Sequence, residues 1–412
     1  MNLPTNWKEV ELKKYFSRLT RKNDEENTNV LTISAQYGLI SQKEFFNKSI
    51  ASEDKSNYFL LERGDFAYNK SYSAGYPFGV VRSLEKYDKG IVSPLYICFK
   101  RTIENKCPDY FLQYFEAGSA NKEICSVAQE GARNHGLLNI STEDFFKIKI
   151  AVPPLAEQQK IADILCEQDK IISLKQKLLE QKQKQKKWLM QKLLEVPHTN
   201  ADYEEKFSLG GVVIDKSGWK KCRLVDIAEG FEYGMNSASK NFDGKNKYIR
   251  ITDINDESHK FENKDIVSPC GKIEEKYKVK EGDILLARTG ASTGKSYLYN
   301  IEDGDLYFAG FLIRVHIKDA NPYLIFSQTL TSKYSNWLKI MSVRSGQPGI
   351  NAEEVKNLSV FLPSLPEQKI IAQVLSTADK EIALLKSSME QEKQKKKSLA
   401  QLLLTGTVRV KT

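Results

Sequence analysis

The sequence predicts an α+β protein in which two globular mixed α/β domains are each followed by a long helix. Three observations carry that expectation. A helical segment opening at Pro153, "PPLAEQQKIADILCEQDKIISLKQ", recurs without a gap 210 residues later as "PSLPEQKIIAQVLSTADKEIALLK", opening at Pro363. The residues ahead of each copy repeat more faintly: "NWKEVEL" near Trp7 echoes "GWKKCRL" near Trp219, and "PDYFLQYF" echoes "NPYLIFSQ". Short β-branched and aromatic runs, among them "NVLTIS", "DFAYN", "LYICFK", "DILLAR" and "FLIRVHI", alternate with turn residues in the manner of strands. Internal duplication on this scale fixes the organisation before any single motif is read.

In chain order, residues 1–152 read as the first globular domain, 153–195 as a central helix, and 196–216 as a polar, Gly-containing linker. Residues 217–362 read as the second domain and 363–406 as the C-terminal helix. A proline opens each helix, where its missing N–H costs nothing, and Glu157 or Glu367 stands in the first turn at the positive end of the dipole. Apart from Gly406 at the end of the second, neither helical stretch contains Gly or Pro beyond its first turn. The second carries an alternating four–three spacing: Ile371, Leu375, Ala378, Ile382, Leu385, Met389, Glu392, Lys396, Leu399, Leu403. That is a coiled-coil seam interrupted by two charges. The first copy is rougher, with Ile161, Leu165, Gln168, Ile172 and Lys175 followed by Leu179, Lys182, Lys186, Leu189 and Leu193. Neither stripe can be hidden alone, so the helices should pair. Each would be about 60 Å long at ~1.5 Å per residue. The tracts "EQKQKQKK" and "EQEKQKKK" read as solvated helix faces.

Bulk properties narrow the class. A length of 412 residues fits two or three domains, and 41% hydrophobic with 28% charged residues fits a protein with real cores and a hydrated surface. No apolar run reaches the ~18 residues of a membrane span, and Met1 to Tyr15 has no signal-peptide core, so a cytoplasmic location is expected. The six cysteines (Cys98, Cys107, Cys125, Cys166, Cys222, Cys270) form no Cys-x-x-Cys pair, and none of the four histidines stands at metal-ligand spacing. Free thiols in a reducing compartment, and no metal site, are expected. The net charge of +9 suggests an acidic partner, most simply nucleic acid.

The motif that first invites a catalytic reading fails on counting. "LLARTGASTGKS", from Leu285 to Ser296, ends like a phosphate-binding loop. The chemistry needs four residues between the first glycine and Gly-Lys-Ser, because loop length sets how the N–H groups curl round a phosphate. Here Gly290 and Gly294 enclose only three, and "SYLYNIEDGD" after them reads as strand and turn rather than helix. The sister loop "YNKSYSAGYPFG" has no Gly-Lys-Ser. "ANPYL" at Ala320 lacks the second proline of an Asn-Pro-Pro-aromatic methyltransferase motif, Pro108–Asp109 has no acidic-x-Lys companion, and no nucleophile–His–acid set stands out. The chain is expected to be non-catalytic by itself and to hold no cofactor.

What remains is recognition. Four loops, "YNKSYSAGYP", "EGARNHG", "ARTGASTGKS" and "VRSGQPG", mix cations, amides and hydroxyls with glycines and aromatics. Such side chains suit phosphate contacts and base-edge hydrogen bonds. The candidate DNA-contacting residues are Asn69, Lys70, Ser71, Tyr72, Arg133 and Asn134 in the first half. In the second they are Arg288, Thr289, Lys295, Arg344, Ser345 and Gln347.

With the helix openings "PPLAEQQKIA" and "PSLPEQKIIA", the paired domain stretches and the ending "LLLTGTVRVK", nearly the whole chain resembles the specificity (S) subunits of bacterial type I restriction–modification enzymes. The segment from Val196 departs from the pattern, lacking the Thr-Gly-x-x-Arg ending of the C-terminal copy. The resemblance implies two target recognition domains, each reading half of a bipartite asymmetric site in double-stranded DNA. It implies that the helices form an antiparallel intramolecular coiled coil with pseudo-two-fold symmetry, which spaces the domains and docks two methyltransferase (modification) subunits. The residues expected to serve that scaffold are Leu155, Glu157, Gln158, Ile161, Leu165 and Ile172, with Leu365, Glu367, Gln368, Ile371, Leu375 and Ile382. Restriction (translocase–endonuclease) subunits would complete the complex, and S-adenosylmethionine, ATP and magnesium would belong to the partners. The competing reading is a coiled-coil adaptor whose globular domains bind proteins; a third is a nucleotide hydrolase using Lys295.

Overall fold

The computed structural model describes residues 4–34, 38–46, 54–71, 77–128, 138–195, 206–209 and 212–411. The chain divides into two compact units. Unit 1 is Met1–Lys177 with Ser387–Thr412, and unit 2 is Leu178–Lys386. The long helices, Leu155–Leu194 and Leu365–Leu404, are therefore each shared: every unit holds the start of one and the end of the other.

The two units repeat one plan. In unit 1 an antiparallel sheet runs in the order Phe16–Arg18, Ile97–Arg101, Phe66–Asn69, Val80–Ser83. In unit 2 the order is Ala228–Tyr233, Leu312–Ile317, Asp283–Ala287, Ser296–Leu298. The β-rich runs picked from the sequence are these strands, with "NVLTIS" supplying Leu31–Ser34 of a separate hairpin. The two Trp-containing stretches also have one role. Lys8–Glu11 pairs with Lys149–Val152, and Lys220–Arg223 pairs with Ser359–Leu362, so the first and last strands of each domain lie side by side and release the chain into a helix.

Core chemistry differs between the copies. Phe66, Tyr68 and Phe99 in unit 1 occupy the register held by Ile284, Leu286 and Val315 in unit 2. Unit 1 is accordingly packed by rings: Phe16 meets Phe66 and Phe99 edge-on at 5.4 and 5.3 Å, and Phe66 stacks on Phe99 at 5.3 Å. Such pairs add about 0.5–1.5 kcal/mol beyond area burial. Unit 2 reaches closure with branched aliphatic side chains instead.

Within each unit the two helix portions run antiparallel, and every seam position named from the sequence is buried or half-buried. In unit 1, Glu392 accepts from Gln168 Nε2 at 2.6 Å and from Lys175 Nζ at 2.9 Å. In unit 2, Lys182 pairs with Glu381 at 2.8 Å and Lys186 with Asp379. The seam charges thus meet opposite charges, which fixes the register in the way a polar core position does in any coiled coil. Lys184, Lys187, Lys393, Lys395 and Lys397 of the two Gln/Lys tracts face solvent, while Lys396 is half-buried.

One expectation is corrected. The stretch read as linker contains a β-hairpin, Lys206–Leu209 against Val212–Asp215. Its sequence signal was the Gly-Gly pair between two short apolar runs. Asp215 N donates to Glu367 Oε1 at 3.2 Å, so the hairpin is anchored to the start of the C-terminal helix.

Candidate nucleic-acid interface

The site begins at a turn that both units share. Glu62-Arg63-Gly64-Asp65 and Lys280-Glu281-Gly282-Asp283 each place glycine at positive φ, +87° and +89°, a conformation other residues adopt only under strain. The following aspartate closes the turn: Asp65 accepts from Glu62 N at 2.8 Å and Asp283 from Lys280 N at 2.7 Å. Burial raises the Asp283 carboxyl above its usual range, against the opposing pull of Lys280 N–H and His316. The turn launches the inner strand, and that strand delivers a loop at its far end, starting with Lys70 in unit 1 and Arg288 in unit 2.

The same backbone bond then fastens a second loop to the first. Leu138 N donates to Lys70 O at 3.0 Å, and Ile350 N donates to Arg288 O at 2.9 Å. In unit 2 the junction continues through Gly290 N to Pro348 O at 2.9 Å and a bridge between Thr289 and Gly349. The loops "ARTGASTGKS" and "VRSGQPG", distant in sequence, therefore form one surface carrying Arg288, Thr289, Ser345 and Gln347, the last two exposed.

The other two candidates of unit 2 are committed elsewhere. Lys295 Nζ bonds Ile254 O at 2.8 Å and Asp256 at 2.5 Å, and its side chain is only 10% exposed. Its loop leads into the strand Ser296–Leu298, not a helix, so the geometry of a nucleotide loop is lacking, as the residue count indicated. Arg344 is clamped on both Glu354 oxygens at 2.6 and 2.7 Å and on two carbonyls of its own turn. Asn321 of "ANPYL" is a helix cap, accepting from Tyr323 N at 3.0 Å and Leu324 N at 3.2 Å.

In unit 1, Asn69 Oδ1 accepts from Ser71 N at 3.0 Å, bending the chain at the strand end, and Asn69, Lys70 and Ser71 are all half-buried. Tyr72, Arg133 and Asn134 lie outside the described residues.

Sequence reading overlooked two aromatics. The Arg288 guanidinium lies 4.8 Å from the Tyr233 ring centre and 6.0 Å from that of Phe311. Tyr233-Gly234, at a strand end, and the turn Gly310-Phe311 lie side by side with their backbones touching: a Cβ on Gly234 would stand 2.3 Å from the carbonyl oxygens of Phe308 and Ala309. Each aromatic beside a glycine was visible, but their convergence on Arg288 depends on a pairing 82 residues apart in the neighbouring strands, Glu232 with Arg314.

The helix-opening residues divide sharply. Glu157 is buried and receives Trp7 Nε1 at 3.1 Å and Arg409 Nε and Nη2 at 2.6 and 2.8 Å. Gln158 and Gln368 each fold back to the carbonyl of the opening proline, at 2.9 and 3.0 Å, and Glu367 accepts from Ser364 N at 3.0 Å. Ile161, Leu165, Ile371 and Leu375 are buried within their own units, and Ile172 and Ile382 are half-buried. Leu155 and Leu365 stand out at 48% and 62% exposed, the same apolar residue bared at both helix starts.

Among the described residues no helix is long and apolar enough to cross a membrane, and no three His, Cys, Asp or Glu side chains converge as metal ligands. The family model for the type I restriction modification DNA specificity domain matches twice, over residues 4–182 and 216–393. The specificity subunit of the type I restriction enzyme MjaVIII from Methanocaldococcus jannaschii is 27% identical over 298 residues, 69% of this chain and 68% of that protein. The putative MjaX specificity subunit of the same organism is 26% identical over 438 residues, covering 100% and 95% of the two chains. A solved S subunit of a type I restriction-modification system from M. genitalium matches over 100% of this chain and 99% of its own. Its TM-score is 0.53 at 15% identity, a likeness of fold.

Proposed function

The chain belongs to the type I restriction modification DNA specificity family, and from that premise we propose how its two units divide the work. Each unit reads one half of a bipartite, asymmetric site in double-stranded DNA. The shared helices set the separation of the halves and dock two methyltransferase subunits, with restriction subunits joining in the full complex. A helix pair of about 60 Å is long enough to separate two readers by more than one DNA turn, roughly 34–36 Å. S-adenosylmethionine, ATP and magnesium belong to those partners, this chain contributes no catalytic group, and the assembly works in the cytoplasm.

The observation that carries this reading is a shared frame with unshared contents. In both units one backbone bond, Leu138 to Lys70 or Ile350 to Arg288, joins the same two loops. The side chains they display differ, lysine and asparagine in one against arginine and threonine in the other. Identical frames suit two identical partners, and different donors suit two different half-sites.

The test is a methylome. The chain is produced with its modification subunits and the methylated motif is sequenced. A split motif is expected, with one half altered when residues 217–362 are exchanged for another domain of the family. Absence of a split motif, or DNA binding that does not weaken as salt rises, would favour the protein-binding adaptor.

A further inference from the structure

We propose that Arg288 reads a guanine, so that the half-site recognised by unit 2 contains a G·C pair at one fixed position. The inference rests on the function proposed above and adds a base and a residue to it.

Three cations of unit 2 were candidates for DNA contact, and the structure spends two of them. Lys295 is withdrawn onto Asp256 and Ile254 O, and Arg344 is locked on Glu354. Arg288 is different. Its backbone is fixed on both sides, with its N–H on Phe311 O at 3.0 Å and its carbonyl holding Ile350 N at 2.9 Å. Its Nε donates to Gly310 O at 3.0 Å. Its guanidinium lies beside the rings of Tyr233 and Phe311, and the Tyr233 hydroxyl is itself held by Ala352 N at 3.1 Å. No described residue accepts from either terminal nitrogen of Arg288. The side chain is thus oriented at its root and along its plane, while the two-pronged end keeps its donors.

That arrangement suits a base edge. Guanine presents O6 and N7 side by side in the major groove, the pair of acceptors that an arginine fork matches. The fork also matches a phosphate, but a phosphate contact carries no sequence information, so base preference separates the two. Unit 1 supplies the contrast: its register puts Lys70 where Arg288 stands and exposed Leu95, an aliphatic residue, where Phe311 stands. Phe311, 60% exposed, and Tyr233 then act as positioning residues whose rings hold the fork.

The test uses the full chain with its modification subunits and a panel of duplexes in which each base pair of the wild-type site is replaced in turn. Methylation rate is the readout. Wild type should require a guanine within the half-site that changes when residues 217–362 are exchanged. Arg288→Gln should lose about five- to a hundredfold of the preference for that guanine, leaving the half-site read by unit 1 unchanged. Arg288→Lys guards against misfolding: it keeps the charge and loses the fork, so guanine preference should fall while salt-dependent affinity for unrelated DNA is retained. Phe311→Leu should weaken the same preference by a smaller factor. An unchanged base preference in both Arg288 variants overturns the proposal, whether the rates are normal or fall equally on every duplex, because Arg288 would then be a phosphate contact or a structural residue. Wild type that methylates no split site would instead overturn the parent reading.

Discussion

Lys396 of the second long helix places its ammonium 2.6 and 2.7 Å from the two carboxylate oxygens of Asp169 on the first. Gln113 of the globular domain donates to the same carboxylate at 2.7 Å, so one aspartate joins domain and helix pair. Exactly 210 residues on for the acid and amide, the joint recurs: Asp379 accepts from Tyr323, and its cation is Lys186, the counterpart of Lys396. Asp169→Asn should cost unit 1 about 1 kcal/mol, a value held down by solvent because the carboxylate is 41% exposed. Asp379→Asn should cost unit 2 somewhat more, about 2 kcal/mol, its pair being less exposed. Hydrogen exchange read separately on each unit would check both, with Gln113 and Tyr323 segments losing protection first.

Acid should loosen the helix pairing in unit 1. Hydrogen bonds from Lys175 and Gln168 hold the Glu392 carboxyl below its ordinary value of 4.5. A carboxyl depressed in the fold contributes stability that is fully present above that ordinary value and is lost as pH falls through the folded one. Thermal melts from pH 6 downward should show a steeper loss in wild type than in Glu392→Gln, starting below about pH 4.5. Equal slopes would remove Glu392 from the account.

Lys216 should show a second window, at alkaline pH, with the same sign of slope. Burial pushes its ammonium down to about 8, although Glu195 lies close. The unfolded chain binds the proton up to an ordinary lysine value of 10.5, so between about 8 and 10.5 the unfolded state carries more protons and folding gains as pH rises. Wild type should gain on the order of 2 kcal/mol relative to Lys216→Met between pH 7 and 10. A constant difference between the two melts would argue against the shift.

Arg409 closes over Glu157, whose side chain is 3% exposed. Arg409→Met leaves that carboxylate with Trp7 as its neutral donor and should destabilise unit 1, by less than the loss of a fully buried pair because the arginine is 39% exposed. Urea unfolding followed at Trp7 would show it, and Glu157→Gln in the same chain should recover part of the loss.

The sequence revealed the scaffold better than the surface it carries. Helices show themselves through local period, and Gln168, Lys175, Lys182 and Lys186 stood at seam spacing before their partners were known. The shared turn at Gly64-Asp65 and Gly282-Asp283 was legible because a glycine followed by an acid repeats in both halves. The state of each cation was not legible. Whether Lys295 faces DNA depends on Asp256, which reaches it only because the chain folds back over Ser296, and Arg344 depends on Glu354 across a loop. The ring pair around Arg288 is likewise a product of strand order. The strand pair Lys206–Leu209 and Val212–Asp215 is hard to tell from linker because its flanks are polar and its apolar runs are short.

The paired strands Lys220–Arg223 and Ser359–Leu362 have a consequence for heredity. Everything between them leaves and rejoins the scaffold at one place, Arg223 opposite Ser359, like a drawer in its frame. A crossover in DNA at those two points would exchange the contents while keeping the helix seam, provided the newcomer supplies the contacts that Tyr323 makes with Asp379 and Asn321 N with Gln368, and the Lys8–Glu11 and Lys149–Val152 pair offers a second drawer. A lineage carrying such a gene can acquire a new recognition domain by shuffling parts instead of by accumulating point changes.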